Sequence, residues 1–378
     1  MPYLDHNATS PLRAESRAAM ERALAIGGNP SSVHGQGRAA RAEVEQAREA
    51  VAALAGARAQ DVVFTSGGTE ANALALWGAA QGAMEAGTRI TRLFVSAIEH
   101  DSVLANAAAL AERAPGLRLE TIPVTSDGVV DLDALRALLR EGKGRALVAV
   151  MAANNETGVV QPIADVAALL KEHEGYLLVD AVQAIGKIPF AASTADYVSL
   201  SAHKLGGPQG VGALVVREGA PLAATMRGGG QERGHRAGTE NVAGIAGFGA
   251  AAKVATPLPA ALRDRFEAEL RSAVPDVGIF GEKATRLPNT SNFALPAVGA
   301  ETAVMALDLE GVMVSSGSAC SSGKVKPSHV LHAMSVPESI ARSALRVSFG
   351  WNSTDQDVDA AISAISQLQS RVRSRAAA

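Results

Sequence analysis

The chain has 378 residues, of which 47% are hydrophobic, and carries a formal net charge of −3 from 35 Lys and Arg against 38 Asp and Glu. This length and apolar content are enough for a large core and predict two domains. The nearly balanced charge, without any block of like charges, argues against a nucleic acid or an anionic membrane as partner, and we expect neither.

Helix-type and strand-type segments alternate through the first two thirds of the chain. The amphipathic residues 39–55 predict a helix that ends at Gly56, and residues 62–65 predict a short strand. The glycine-containing turn 66–70 follows, and a helix is predicted from residue 71. Further strands are predicted at 93–97, 146–151, 176–179 and 197–200. This alternation predicts an α/β domain built around a mostly parallel sheet.

The pattern changes after about residue 255, where Thr256-Pro257-Leu258-Pro259 interrupts the chain. A helix over 260–273, short strands around 290–293 and a final helix from 355 to about 372 predict a smaller α+β domain. We therefore predict a large domain over residues 15–255. The small domain is predicted to consist of residues 256–378 together with the N-terminal residues 1–14.

Polar residues follow five of the predicted strands. They are Thr69, His100, Asn154, Asp180 with Gln183, and the run Ser201-Ala202-His203-Lys204. In an open α/β sheet, ligands bind beyond the carboxyl ends of the strands. A lysine directly after a strand can form a Schiff base with a pyridoxal cofactor, and the neighbouring serine and histidine can hold its phosphate. A lysine near glycines is, taken alone, more often a solvated surface residue. The coincidence of polar residues at five strand ends favours the catalytic interpretation instead.

Other side chains at these strand ends fit the same cofactor. Gly67-Gly68-Thr69 opens a helix, whose free backbone N–H groups suit a phosphate. Asp180 follows a buried strand and needs a partner, which a protonated pyridine nitrogen would supply. Gln183 could hydrogen-bond to the ring oxygen, and His100 could stack on the ring and shuttle a proton. Taken singly, three of these features have a structural alternative. The glycine turn before the helix can be an ordinary N-capped turn, Asp180 can cap a turn, and His100 can be a structural histidine.

Two residues of the predicted small domain complete the candidate site. Arg346, in a strand-like run, can clamp a substrate carboxylate with two hydrogen bonds, and a surface salt bridge is its alternative. Cys320 lies in a run of glycine and serine over 315–323. That composition predicts a mobile, exposed loop over about 315–326 with an accessible thiol. We predict no metal site.

The N-terminus and the cysteine content predict a cytoplasmic protein. No apolar run approaches the roughly 20 residues of a membrane-spanning helix. Residues 1–6 lack the basic and apolar regions of a secretory signal. The single cysteine, Cys320, excludes an intrachain disulfide, which suits a reducing compartment.

Seven runs of the sequence carry a family pattern, at residues 3–9, 29–34, 65–72, 153–158, 180–183, 201–204 and 228–241. Together with Lys204, Asp180, His100 and Cys320, they resemble the cysteine desulfurases of the NifS/IscS group, within the class-V aminotransferase family. The resemblance covers nearly the whole chain. It implies fold type I of the pyridoxal-phosphate-dependent transferases, pyridoxal 5'-phosphate as cofactor, and a homodimer with the cofactor near the subunit interface.

The resemblance also implies roles for individual residues. Lys204 matches the Schiff-base lysine, and Thr239 matches a residue that reaches the phosphate of the neighbouring subunit's cofactor. Asn154 and Arg346 match groups that hold the substrate carboxylate, with Asn154 also near the ring oxygen. Cys320 matches the cysteine that takes the sulfur. The residues that match the phosphate cup are Gly68, Thr69, Ser201 and His203.

The implied reaction removes sulfur from L-cysteine, giving L-alanine and a persulfide on Cys320, with His100 as proton donor or acceptor. The sulfur would pass to an iron–sulfur scaffold or another acceptor protein, and a role in nitrogen fixation is as good a match as a housekeeping role. A selenocysteine lyase or a class-V aminotransferase would use Lys204 and Asp180 equally, although an aminotransferase would not need Cys320. A catalytically dead scaffold in an assembly complex is the non-enzymatic alternative.

Overall fold

The computed structural model describes residues 1–316 and 328–376, which form two β-sheets with helices around them. The strands of the larger sheet are β1 (Val62–Thr65), β2 (Ile90–Ser96), β3 (Arg118–Ile122), β4 (Arg145–Ala149), β5 (Gly175–Asp180), β6 (Tyr197–Ser201) and β7 (Gly212–Val216). They lie in the order β1-β7-β6-β5-β4-β2-β3. Strand β7 is antiparallel to β1 and β6, and the other neighbours are parallel. The predicted α/β class and the mostly parallel sheet are confirmed.

Helices cover both faces of this sheet. They are α1 (Ala14–Ile26), α2 (Gly35–Ala55), α3 (Gly68–Glu85), α4 (Asp101–Arg113), α5 (Leu132–Arg140), α6 (Ile163–Lys171) and α7 (Val242–Val254). Successive residues of β4 point to opposite faces, so Leu147 packs with the helices α3 and α4, and Val148 packs with α2, α5, α6 and α7. The predicted first helix begins earlier than expected, at Gly35, and ends as predicted before Gly56, which has a φ of 63°.

Strand β7 has no counterpart among the predicted strands, and its first residue explains how it fits. Gly212 pairs with Thr65 of β1 and with Ser201 of β6. A Cβ atom at this position would lie 2.6 Å from the carbonyl carbon of Gly67 and 2.6 Å from the carbonyl oxygen of Leu200. Only glycine therefore allows β7 to approach the turn that precedes α3.

The smaller sheet is entirely antiparallel. Its strands are β8 (Gly278–Ile279), β9 (Thr290–Ala294), β10 (Ser315–Ser316) and β11 (Ala344–Ser348), in the order β10-β11-β9-β8. The helices of this part are α8 (Ala261–Ala273), α9 (Ala300–Leu309), α10 (His329–Ala333), α11 (Glu338–Ala341) and α12 (Asp355–Ala376). The predicted helices at 260–273 and 355–372 and the strand near 290–293 are confirmed as α8, α12 and β9.

The N-terminal segment packs on the smaller sheet. Tyr3 bridges to Met313 and Asp5 bridges to Ser348, both in parallel. Between them Leu4 is completely buried in the apolar cluster formed by β9, β11, α8, α9 and α12. This packing places residues 3–5 on the smaller sheet, whereas Ser10 and Arg13 hydrogen-bond to the turn after β6, so the assignment of residues 1–14 to the small domain and the boundary at 255/256 stay a prediction. Within the described ranges, no helix combines the length and the apolar character needed to cross a bilayer.

Candidate active site

A cavity of about 590 Å³ opens where the carboxyl ends of the parallel strands meet the smaller sheet and the N-terminal segment. Polar side chains from three separate parts of the chain share its wall. The predicted site residues that line it are Gly68, Thr69, His100, Asp180, Gln183, Ser201, His203, Lys204 and Arg346.

Lys204 lies in the cavity wall directly after β6, in the short turn 202–204. Its Nζ donates hydrogen bonds to the carbonyl oxygens of Asn7, at 2.6 Å, and Ala8, at 2.7 Å. Burial lowers the pKa of Lys204 to about 8, with a further lowering by Arg346 that Asp5 and Asp180 oppose. The amine is therefore much closer to its nucleophilic neutral form than a surface lysine is.

Asp180 ends β5 and is buried, with 7% of its surface exposed. Its Oδ2 accepts a hydrogen bond from Asn72 Nδ2 at 2.8 Å, and its Oδ1 accepts one from the backbone N–H of Val182 at 3.0 Å. These two donors fix the carboxylate at the cavity wall. An anchored buried carboxylate suits a cationic partner in the cavity.

A second hollow, of about 310 Å³, shares part of the cavity wall, including Thr69, Ser201 and His203. Helix α3 begins there at Gly68, so the unpaired N–H groups of its first turn and its positive dipole end lie beside the hollow. His203 Nδ1 lies 2.8 Å from Thr9 Oγ1. Burial, assisted by Lys204, lowers the pKa of His203 to about 4, so this ring is neutral near pH 7. The hollow has the donors that a phosphate group needs.

His100 caps the N-terminus of α4 and exposes its ring to the cavity. Its Nδ1 accepts a hydrogen bond from the backbone N–H of Ser102 at 3.1 Å and lies 2.8 Å from Ser102 Oγ. The capping contact orients the ring and leaves Nε2 on the opposite edge.

Arg346 is almost completely buried, with 2% exposure, which rules out the surface salt bridge considered from the sequence. Its Nη2 donates to Asp5 Oδ1 at 2.6 Å, and its Nη1 donates to the carbonyl oxygen of Asn155 at 3.0 Å. Its Nε has no hydrogen-bond partner among the described residues. A carboxylate entering the cavity would find a guanidinium that is already oriented and charged.

Asn154 does not occupy the predicted position at the cavity. Its side chain is completely buried, and its Oδ1 accepts the backbone N–H groups of Glu156 and Thr157, both at 2.9 Å, while its Nδ2 donates to the carbonyl oxygen of Ile98. These contacts cap the turn after β4 and use the amide fully. This geometry contradicts the prediction that Asn154 contacts a cofactor ring and a substrate carboxylate. Its neighbour Asn155 lines the cavity wall in its place.

Two further predicted site residues lie away from the described wall. Thr239 is exposed and does not line the cavity, and its contact with a neighbouring subunit stays a prediction. Cys320 lies outside the described residues, as does most of the predicted loop over 315–326. Ser315, at the start of that loop, lines the cavity.

A buried polar cluster behind Lys204 includes two residues, Asn7 and Lys187, to which no role was assigned from the sequence. The carbonyl oxygen of Asn7 accepts hydrogen bonds from Gln183 Nε2 and Lys204 Nζ, while Asn7 Oδ1 accepts one from Lys187 Nζ at 2.8 Å. Lys187 also donates to Gln183 Oε1 at 2.7 Å, and burial lowers its pKa well below the usual range. The spacing of four residues between Gln183 and Lys187 is the one sequence signal that could have linked them. Asn7 lies in the matched run 3–9, which by itself gave it no individual role.

No three His, Asp or Glu side chains in the described part of the chain lie close enough together to hold a metal ion. The chemistry of this cavity comes from an amine of lowered pKa, an anchored carboxylate, a buried guanidinium and a hollow at a helix N-terminus. These groups are chemically compatible with a pyridoxal phosphate site, and that assignment stays a prediction.

Comparison with known proteins yields consistent matches along the chain. The family described as aminotransferase class V matches residues 2–361. The cysteine desulfurase IscS of Dictyoglomus turgidum is 40% identical over 381 residues, which cover 98% of this chain and 95% of that protein.

Solved structures also match this chain over nearly its whole length. The NifS-like protein from Rickettsia africae superposes with a TM-score of 0.87 at 34% identity, covering 98% of this chain and 99% of that one. The structure of SspA in complex with cysteine superposes with a TM-score of 0.81 at 29% identity, covering 92% of this chain and 99% of the other.

Proposed function

The chain belongs to the class-V aminotransferase family, and we propose that it is a cysteine desulfurase that converts L-cysteine to L-alanine and carries the sulfur as a persulfide on Cys320. The observation that carries the proposal is the convergence of Lys204, Asp180 and Arg346 on one cavity. An amine, a carboxylate and a guanidinium are the groups that a pyridoxal enzyme needs to act on an amino acid. Relatives named cysteine desulfurase, one of them 40% identical, support the choice within the family.

The residues at the cavity fit pyridoxal 5'-phosphate. The hollow at the start of α3, with Ser201 and His203 on its wall, suits the phosphate. Asp180, held by two donors, suits a protonated ring nitrogen, and Lys204 suits covalent attachment. When bound, the cofactor supplies an electron sink that makes the substrate Cα–H bond acidic.

Lys204 would first hold the cofactor and then act as a base towards the substrate Cα–H. A pKa of about 8 keeps a usable fraction of the amine neutral near pH 7. The carbonyl oxygens of Asn7 and Ala8 accept from Nζ and hold the amine at the cavity wall between these two tasks.

Arg346 would bind the carboxylate of the substrate. To do so it exchanges its contact with Asp5, while the bond from Nη1 to the carbonyl oxygen of Asn155 keeps the guanidinium plane in place. A fixed guanidinium selects a substrate with a free carboxylate and orients its Cα towards Lys204.

Cys320 would take the sulfur. Its thiolate attacks the sulfur of the substrate, a new S–S bond forms, and the substrate C–S bond breaks with its electron pair going to the carbon skeleton, which gains a proton and leaves as alanine. Ser315 lines the cavity and Cys320 follows five residues later, a distance of at most roughly 18 Å along an extended chain. The thiol is therefore within chain reach of the cavity.

We extend the proposal to the assembly. We expect a cytoplasmic homodimer in which Thr239 contacts the phosphate at the neighbouring subunit's site. We also expect a protein acceptor for the persulfide, such as a scaffold for iron–sulfur clusters in general metabolism or in nitrogen fixation.

The test is the intact mass of the pyridoxal-phosphate-loaded protein after incubation with L-cysteine without reductant, with alanine assayed in the same sample. One added sulfur, mapped to Cys320, together with alanine supports the desulfurase. Alanine without added sulfur would remove Cys320 from its proposed role. Neither product, with normal cofactor absorbance, would favour an aminotransferase.

A further inference from the structure

We propose that Asn72 and Ser102 form a hydrogen-bonded link between Asp180 and His100, which holds the His100 ring with its proton on Nε2, the edge that is not tied to the cap. Asn72 and Ser102 are thus positioning residues. The importance of the link for catalysis rests on the proposed function, because Asp180 and His100 then act on the same bound cofactor.

Asn72 is the centre of the link. It lies in the first turns of α3 with 1% exposure, and its Nδ2 donates to Asp180 Oδ2 at 2.8 Å and to Ser102 Oγ at 2.9 Å. An amide nitrogen carries two hydrogens, so both are used. A flipped amide would point its oxygen at the carboxylate of Asp180, so the charge of Asp180 fixes the orientation of Asn72.

This orientation of the Asn72 amide leaves its oxygen without a hydrogen-bond donor in the described part of the chain. The Oδ1 of Asn72 is buried and has no hydrogen-bond partner among the described residues. A buried acceptor without a donor is unfavourable. Because the other face of the same amide makes two good bonds, the two donated bonds outweigh the lost one.

The direction of the next bond follows from the first. Because Ser102 Oγ accepts from Asn72, its own hydrogen is free to donate, and His100 Nδ1 lies 2.8 Å away. The backbone N–H of Ser102 donates to the same nitrogen at 3.1 Å. With two donors directed at it, Nδ1 is an acceptor, so the proton of the neutral ring is on Nε2. His100 therefore presents an N–H as a hydrogen-bond donor.

The link is reciprocal. A change at Asp180 alters the orientation of Asn72, and through Ser102 it alters the hydroxyl hydrogen bond that His100 Nδ1 accepts. The side chains of Asp180, Asn72, Ser102 and His100 are in contact in that order. Binding of a cation at Asp180 is thereby coupled to binding of a hydrogen-bond acceptor at His100.

The test is the tautomer of His100, measured by nitrogen NMR on the holoenzyme with labelled histidine. The chain has 8 histidines, and the signals of His100 are assigned by their loss in the variant His100→Gln. We expect Nδ1 unprotonated and Nε2 protonated in the wild type. In Ser102→Ala the backbone N–H of residue 102 still donates to Nδ1, so we expect the same tautomer but a resonance of Nδ1 displaced towards that of a nitrogen with fewer hydrogen bonds, and a smaller displacement in the same direction in Asn72→Leu. Ser102→Thr, which keeps the hydroxyl, should restore the wild-type pattern.

Ser16→Ala is the matched control, because Ser16 is also a buried helical serine whose hydroxyl donates to a carbonyl oxygen, that of Gly247 at 2.8 Å, and neither residue lines the cavity. It should leave the His100 signals unchanged. A wild-type proton on Nδ1, or a resonance of Nδ1 that is unchanged in Ser102→Ala, overturns the link, even if Asn72→Leu fails to fold.

Turnover of L-cysteine supplies a second readout. Ser102→Ala should lower kcat about fivefold in the wild-type background and less than about twofold in the His100→Gln background, because the link acts through His100. Equal losses in the two backgrounds would refute the link. Absence of turnover in every protein, with the NMR result as expected, would refute the proposed function and leave the link standing.

Discussion

Covalent attachment of pyridoxal 5'-phosphate to the cofactor-free protein should follow the titration of Lys204, whose pKa is lowered from 10.5 to about 8 by burial. Only the neutral amine is nucleophilic. At pH 7 the neutral fraction is about one in ten at Lys204, against about one in 3,000 for an ordinary lysine. The attachment rate at pH 7 should therefore exceed that of a free lysine side chain by roughly 300-fold. It should rise nearly tenfold per pH unit below pH 7, about fivefold from pH 7 to pH 8, and level off above that.

Two neighbouring side chains should move this titration in opposite directions. Arg346 lowers the pKa of Lys204 and Asp5 raises it. Arg346→Gln should therefore raise the pKa and slow attachment at pH 7, whereas Asp5→Asn should lower the pKa and speed it. A shift of one unit changes the rate at pH 7 by about tenfold, and we expect changes of about three- to tenfold. Arg346 and Asp5 form an ion pair, so replacing either residue also leaves the charge of its partner unpaired.

The assay is stopped-flow measurement of the visible absorbance of the bound cofactor between pH 6 and pH 10, with a blocked free lysine as reference. Lys204→Ala should abolish the signal, and Lys143→Ala, at an exposed lysine, should leave the profile unchanged. A rate that climbs steadily to pH 10 would refute the lowered pKa. Shifts in the same direction for both variants would refute the electrostatic reasoning.

Three other outcomes are expected. Cys320→Ala should abolish sulfide release from L-cysteine and leave the absorbance of the bound cofactor intact, and release at the wild-type rate would exclude Cys320 as the sulfur carrier. Burial raises the pKa of Glu156 from 4.5 to about 7, so the folded state keeps a proton that the unfolded state loses. Relative to Glu156→Gln, the unfolding free energy of the wild type should fall by roughly 3 kcal/mol as the pH rises from 4.5 to 7. Parallel urea-denaturation curves for the two proteins over that range would contradict this. Arg48 donates to both oxygens of Glu232, at 2.7 and 2.9 Å, and the side chains are 4% and 2% exposed, so Arg48→Met should cost about 3–5 kcal/mol by leaving a buried carboxylate unpaired. Arg48→Met/Glu232→Gln should recover part of that loss in urea denaturation, and a fully stable single variant would show that the pair is dispensable.

Local patterns in the sequence determined the strands that build the site. The apolar runs at 62–65, 146–151, 176–179 and 197–200 correspond to β1, β4, β5 and β6, since a short buried strand needs only consecutive apolar residues. The α/β class then places polar residues that follow such strands on one edge of the sheet. For this reason the amino-acid sequence alone is enough to assign Asp180 and Lys204 to one cavity.

Tertiary structure decided the parts of the site that depend on contacts between distant residues. Asp5 pairs with Arg346 across 341 positions, and Asn72 contacts Asp180 across 108, separations at which no local period carries information. The same holds for β7, whose antiparallel position depends on the close approach of Gly212 to a turn elsewhere in the chain. The sequence pattern predicted that asparagine would reach the cavity edge after β4, but it did not decide between Asn154 and Asn155. The tertiary structure decided, because the Asn154 amide is already hydrogen-bonded within its own turn. A buried polar group with every hydrogen bond satisfied has none left for a ligand.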